Sequence, residues 1–342
     1  MGWLPTAPQF RQNSLTLAKE AEAAGLDAKD YVVKGLKSGE LQMACEDPDH
    51  PDNWPRNMFV WRSNILGSSG KGHEYFLKHL LGTIHGVQGK DLGEAGRKKP
   101  KEVAWHDDAP KGKLDLLVTL DFRMSTTCVY SDIVLPTATW YEKNDLNTSD
   151  MHPFIHPLSA AVDPVWECKN DWEIYKAIAK AFSRVAPEVL GVEKDTVLTP
   201  IMHDSPSEIA QGIDVKEWKK GEVEPIPGKT MSNVTVVERD YPNIYKRYTA
   251  LGPLMQKIGN GVKGLAWNAE HEVDLLKRLN GEVTEEGPTK GLARIDTDID
   301  ATEVILSLAP ETNGEVAVKA WQALSQTTGR DHTHLAIPKE DE

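Results

Sequence analysis

Residues 114–121, LDLLVTLD, place apolar side chains at consecutive positions instead of alternating ones, as a strand covered on both faces requires. Two shorter runs have the same texture. One is MFVW at 58–61; the other is SDIVLP at 131–136, which Pro136 stops. YFLKHLL at 75–81 lies between the first two and carries Phe76, Leu77, Leu80 and Leu81 on one helical face. A second helix is expected over 171–182. There Asn170 and Glu173 are spaced for a capping box, and Trp172, Tyr175, Ala179 and Phe182 share a face. Doubly covered strands alternating with helices predict α/β layers around a parallel sheet.

Such sheets bind ligands at the loops leaving the C-terminal ends of their strands. The first of these turns is SNILGSSGKGHE, residues 63–74. It is not a Walker A loop: Ile65 stands at the upstream glycine position and Gly72 at the Mg²⁺-binding hydroxyl position. A G-x-G-x-x-G fingerprint also fails, since Tyr75 takes the last glycine place. The composition still suits an anion. Gly67, Gly70 and Gly72 allow close backbone approach, and Ser63, Asn64, Ser68 and Ser69 are short and polar. Lys71 adds a charge, and a following helix would aim its first N–H groups at the same place. The plain alternative is a solvated turn with helix caps.

The second turn, 121–128, reads DFRMSTTC. Asp121 can accept from the ring N–H and amino group of a guanine, Arg123 can pair with a phosphate, and Ser125, Thr126 and Thr127 can donate to it. An Asx turn at Asp121 and a surface arginine are the plain alternatives; Cys128 reads as a packed thiol. A third stretch, 137–157, holds Glu142, Asp145, Asp150, His152 and His156. Pro153 between the histidines argues against a helical His-x-x-x-His metal site.

The net charge of −13 over 342 residues makes the chain a poor general binder of nucleic acid or anionic membrane. Three scattered cysteines, Cys45, Cys128 and Cys168, form neither a disulfide framework nor a cluster motif, which favours a reducing compartment. No run reaches the roughly 20 apolar residues of a membrane span, so membrane association is expected only through partners. The ten tryptophans read as core and interface anchors. We divide the chain into a lead-in (1–56), an α/β layer (57–185) and a mostly helical, irregular region (186–342). In the last, NVTVVE reads as a strand and EVDLLKRLN, ATEVILSLA and GEVAVKAWQALSQTTG as helices. The acidic end, PKEDE, suggests part of a longer protein.

The run LDLLVTLDFRMSTTCVYSDIVLPTATWYEKNDLNTSD resembles the molybdopterin oxidoreductases of the dimethyl sulfoxide reductase family, and FVWRSNILGSSGKGHEY resembles the earlier strand–Asn turn of the same domain. Within that family, NTSDMHPFIHPLSAAVDP, DWEIYKAIAK, GPLMQKIGNG, LAPETNGEVAVKAW and TGRDHTHLA are most similar to the alpha, catalytic subunits of membrane-bound respiratory nitrate reductases. The resemblance implies a parallel-sheet αβα layer and molybdenum held by two molybdopterin guanine dinucleotides. By carry-over, Ser63, Asn64, Ser68, Ser69 and Lys71 line one turn. Asp121, Arg123, Ser125 and Thr126 line the other, and Glu142 and Asn147 lie towards the pterin. It further implies nitrate reduction to nitrite by oxygen-atom transfer, with quinol-derived electrons arriving through an iron–sulfur beta subunit and a haem b gamma subunit at the cytoplasmic face of the bacterial inner membrane. The family's 4Fe–4S cluster and molybdenum-ligating aspartate are expected upstream of this sequence and its capping β-barrel downstream, so the segment alone is expected to be inactive and no catalytic or metal-ligating residue is assigned here. The rival expectations are an α/β binding or scaffold module without cofactor, and a plain nucleoside-diphosphate binder.

Overall fold

The computed structural model describes residues 10–47, 50–69, 75–82, 112–149, 151–199, 220–262 and 265–336. Gly70, Lys71, Gly72 and Asp150, all named above, lie outside them. Asn13 and Asp27 cap two helices by accepting from the N–H two residues on: α1 (Ser14–Ala23) and α2 (Ala28–Ser38). Gly39, left-handed at φ 79°, closes α2. Next come β1 (Asn57–Trp61), the single turn α3 (Ile65–Ser68), a π-helical segment (Tyr75–Leu80), β2 (Leu116–Asp121), the single turn α4 (Thr126–Val129) and β3 (Ile133–Pro136). β4 (Asp145–Ser149), β5 (His152–Leu158), the long α5 (Asp171–Val189), β6 (Val192–Thr199) and β7 (Asn233–Asp240) follow. The remainder carries α6 (Ile244–Tyr248), α7 (Pro253–Ile258), the ribbon β8 (Asn260–Val262) with β9 (Leu265–Trp267), α8 (Glu270–Leu279), α9 (Asp298–Leu308) and α10 (Gly314–Thr328).

Two units emerge from the contacts. One takes Glu46–Lys143 and Ala161–Ile174; the other takes the described residues up to Cys45, Asn144–Ala160, and those from Tyr175 onward. The first of these holds the parallel sheet expected from the sequence, in the order β1–β2–β3. β2 is central, and Leu117, Val118 and Leu120 are buried, each worth about 1.5–3 kcal/mol of transfer free energy. The expectation of cover on both faces holds for β2 and not for its neighbours. In β1 only Val60 is buried, while Phe59 and Trp61 stay exposed, as does Ile133 in β3. Among the described residues both are edge strands, and the apolar texture of the sequence does not distinguish an edge from a centre.

The expected helix at 75–81 takes π geometry, with Leu81 N–H bonded to the Phe76 carbonyl, and buries Leu77 and Leu80. The expected helix at 171 starts there, with Asn170 Oδ1 accepting from Glu173 N–H at 2.8 Å. It continues to Val189 instead of ending at Phe182, with Pro187 inside its last turns.

In the other unit α1 and α2 pack on the antiparallel pair β6–β7, around Phe10, Leu17, Val32, Leu36, Leu41, Leu198, Met231 and Val234. NVTVVE is β7, and the three helices expected near the C-terminus are α8, α9 and α10; Gly329, left-handed at φ 68°, closes the last. Two features escaped the sequence reading. The half of β6 written VEKD hides its alternation behind charges, one of which, Asp195, is buried against Arg239 at 3.0 Å. The β4–β5 hairpin carries Pro153 and Pro157, which an edge tolerates. Among the described residues no helix is long and apolar enough to cross a membrane.

Candidate functional site

Because β1 and β2 are parallel neighbours, paired from Asn57↔Leu116 to Trp61↔Leu120, the turns that follow them leave the same end of the sheet. Asn64 joins the two turns. Its Oδ1 accepts from Gly67 N–H at 3.1 Å, capping α3, and across to the other turn from Thr127 N–H at 3.2 Å and Thr127 Oγ1 at 3.1 Å. Thr127 Oγ1 in turn accepts from Leu66 N–H at 3.1 Å, and Thr127 is fully buried. The two polar turns singled out from the sequence therefore meet through these two side chains.

Around this stitch the expected residues divide by what their polar atoms already do. Asp121 is buried, 8% exposed, and Oδ1 accepts from Arg123 N–H at 3.3 Å, an Asx turn. Its second carboxylate oxygen has no hydrogen-bond partner among the described residues. The exposed Arg123 guanidinium has no carboxylate partner among them and lies 5.3 Å from the Phe122 ring centroid. The hydroxyls of Ser63, Ser69 and Thr126 are likewise without described partners. Ser68 Oγ donates to the Asn64 carbonyl at 2.6 Å, and Ser125 caps α4, its Oγ 3.3 Å from Cys128 Sγ; these two are spent on their own turns. Cys128 is the packed thiol expected. Gly67 serves a different purpose from the close anion approach expected of it. A Cβ there would lie 2.2 Å from Asn64 Nδ2, so its missing side chain makes room for the capping amide. Nor does one long helix follow β1, since α3 is a single turn.

Beneath the turns sits a cluster the sequence reading missed. Arg62, at φ 51° in the left-handed region, continues the ladder with its N–H on the Leu120 carbonyl at 2.8 Å. Its guanidinium grips Asp171 at the start of α5 through Nε (2.9 Å) and Nη2 (2.7 Å), and Nη2 also reaches the Ala138 carbonyl at 2.7 Å. Trp61 Nε1 (2.8 Å) and Lys143 Nζ (3.0 Å) complete the carboxylate's set. Burial works to raise the Asp171 pKa, but the bonds from Arg62, Trp61 and Lys143 outweigh it and hold the carboxyl below its ordinary value. Arg62 also lies 5.5 Å from the Phe122 centroid, and Phe122 meets Trp140 edge-on at 5.0 Å. One guanidinium thus braces the residues flanking both turns. A Trp-Arg pair at a strand end, read with an Asp opening a capped helix, was the available signal.

Glu142 belongs to the same unit and accepts from Thr139 N–H at 2.8 Å. Asn147 lies in β4 of the other unit, opposite His156. His152 and His156 share strand β5, their rings 5.2 Å apart and T-shaped, with Phe154 between them in sequence.

The molybdopterin oxidoreductase model matches residues 13–181, and the model for nitrate reductase alpha chain, domain V, matches residues 258–342. The chain is 66% identical to the respiratory nitrate reductase 1 alpha chain of Escherichia coli K12 over 342 residues, all of this chain and 27% of that one. It is 49% identical to the nitrate reductase alpha chain of Bacillus subtilis 168, over all of this chain and 28% of the relative. The chain belongs to the molybdopterin oxidoreductase family. The likeness extends to the perchlorate reductase alpha subunit of Dechloromonas aromatica, 47% identical over 53% of this chain and 16% of that protein. The parallel three-stranded sheet with its helices is the fold expected of this family. The chain spans between a quarter and a third of the length of the nitrate reductase relatives named here.

Proposed function

We propose that residues 57–185 form the layer of a respiratory nitrate reductase alpha chain that holds one molybdopterin guanine dinucleotide of a molybdenum bis-dinucleotide cofactor. Family membership implies a molybdenum–pterin cofactor; the dinucleotide form is our reading of the two stitched turns. The observation that carries it is Asp121, a buried carboxylate with an unengaged oxygen at the C-terminal end of the central strand. A desolvated acceptor of this kind suits the paired N–H donors of a guanine edge. Ser63, Ser69 and Thr126 offer uncommitted hydroxyls for the pyrophosphate; Asn64, Ser68 and Ser125 hold the turns that present them. Lys71 is assigned to the first turn, and Glu142 and Asn147 to the pterin side, on family likeness alone.

Molybdenum, when bound, supplies the oxygen-atom transfer that takes nitrate to nitrite. This segment fixes the dinucleotide's position and neutralises its charge. In this reading quinol-derived electrons reach the site through a haem b membrane gamma subunit and an iron–sulfur beta subunit, which hold the alpha chain at the cytoplasmic face of the bacterial inner membrane, and the 4Fe–4S cluster of the alpha chain belongs to sequence outside this segment. In a full-length alpha chain carrying this segment, Asp121→Ala loses a charge-assisted pair of bonds worth about 1.5–3 kcal/mol. Retained guanine nucleotide and molybdenum, measured after gel filtration, should fall by roughly 10-fold or more. Full content of both in that variant removes the guanine contact. The alternative of a cofactor-free scaffold draws on the local capping by Ser68 and Ser125; a purified wild-type protein without pterin or guanine nucleotide would select it.

A further inference from the structure

We infer that Arg123 is a base-stacking residue and not a phosphate ligand: its guanidinium, laid on Phe122, forms the platform on which the guanine of the dinucleotide rests. The inference depends on the proposed guanosine site and adds a specificity element to it. An arginine waiting for a phosphate is free to extend; this one is placed 5.3 Å from an aromatic centroid, inside the distance at which a guanidinium is held by a ring's π-face. Phe122 itself is fixed, edge-on to Trp140 at 5.0 Å and 5.5 Å from the Asp171-bound Arg62. Arg123 is exposed and has no carboxylate partner among the described residues, so its guanidinium stays accessible to a ligand. Nucleobases stack on guanidinium planes as they do on aromatic rings. The Asx turn binds Arg123 N–H to Asp121 Oδ1, which sets the carboxylate and the platform in a fixed relation along the chain. Asp121 then reads the edge of the base while Arg123 carries its face.

Lysine separates the two roles, because it keeps the charge a phosphate needs and lacks the plane a base needs. The experiment uses purified full-length alpha chain carrying this segment, as wild type and as Arg123→Lys, Arg123→Trp and Asp121→Ala. Guanine nucleotide per subunit is measured after extended dialysis at low and high salt, with thermal melting as the check on folding. Stacking predicts that Arg123→Lys retains roughly 10-fold less nucleotide at both salt concentrations, from a stacking contribution of about 1–3 kcal/mol per base, and that Arg123→Trp retains close to the wild-type amount. Full retention by Arg123→Lys, with loss in Arg123→Trp and a steep salt dependence, assigns Arg123 to a phosphate and overturns the inference. Loss in Asp121→Ala with no change in any Arg123 variant overturns stacking alone. No loss in any variant overturns the guanosine site together with it.

Discussion

Asp171→Ala should expose the exit of β1 to hydrogen exchange. In the native cluster one carboxylate receives five side-chain hydrogen bonds, one each from Trp61 and Lys143 and three from Arg62, whose Nε is shared between both carboxylate oxygens. The Arg62 and Asp171 side chains are 17% and 13% exposed. Removing the carboxylate of such a pair takes the counter-charge from the part-buried Arg62, whose guanidinium keeps only the neutral Ala138 carbonyl as a hydrogen-bond acceptor among the described residues, and costs about 3–5 kcal/mol; the remaining solvent access places this case near 3. Arg62 is also strained, since a non-glycine residue in the left-handed region costs about 1–2 kcal/mol and is held there by these contacts. A local loss near 3 kcal/mol corresponds to roughly 100-fold faster exchange of the Arg62 amide and its β2 neighbours. Unchanged exchange in the variant would show that the cluster does not hold the strand end.

The same carboxylate sets a pH dependence whose sign is fixed. The folded-state pKa of Asp171 lies below its unfolded value, burial being outweighed by its donors. The unfolded state therefore binds the proton more readily. The stabilisation is complete above the unfolded value of about 3.9 and is lost as pH falls through the lower folded value. Exchange rates of wild type and Asp171→Ala should differ most near neutrality and converge in acid.

How much of this was written in the sequence differs by feature, for physical reasons. The parallel sheet was legible because LDLLVTLD, MFVW and SDIVLP signal strands through their own composition, and Gly329 signalled a helix end through its backbone freedom. Burial of β1 was misjudged because cover depends on neighbours that a local pattern does not contain. The β4–β5 hairpin was missed because, among the described residues, its strands pair only with each other, and because they carry prolines. At the candidate site, Asp121 and the hydroxyl-rich turns were visible as residue types. The Asn64–Thr127 stitch and the Arg62–Asp171 brace were not, since each joins residues far apart in the chain: 63 positions in one case, 109 in the other. Local reasoning offered helix caps only as an alternative for the whole first turn; it assigned none to Asn64 and did not give the second loop that the same oxygen serves.

That second service makes Asn64 the residue whose substitution most directly separates structure from binding. Asn64→Ala removes the acceptor for three donors, two of them on the fully buried Thr127. Gly67 N–H is exposed and can turn to water. The Thr127 N–H and hydroxyl cannot, and an orphaned buried donor costs about 1–3 kcal/mol, so a loss of about 2–6 kcal/mol is expected for the two. It should appear as faster exchange at Thr127 and Leu66 together, because Leu66 N–H depends on the same hydroxyl. Asn64→Asp keeps an oxygen acceptor in the same place and adds a negative charge beside the proposed pyrophosphate. Its amide protection should therefore stay near wild type while its retention of guanine nucleotide falls, most strongly at low ionic strength, where repulsion is least screened. If Asn64→Asp kept both protection and nucleotide, no anion would lie against this turn. If it lost both, Asn64 would act through its amide nitrogen, and the stitch as drawn by its oxygen would be wrong.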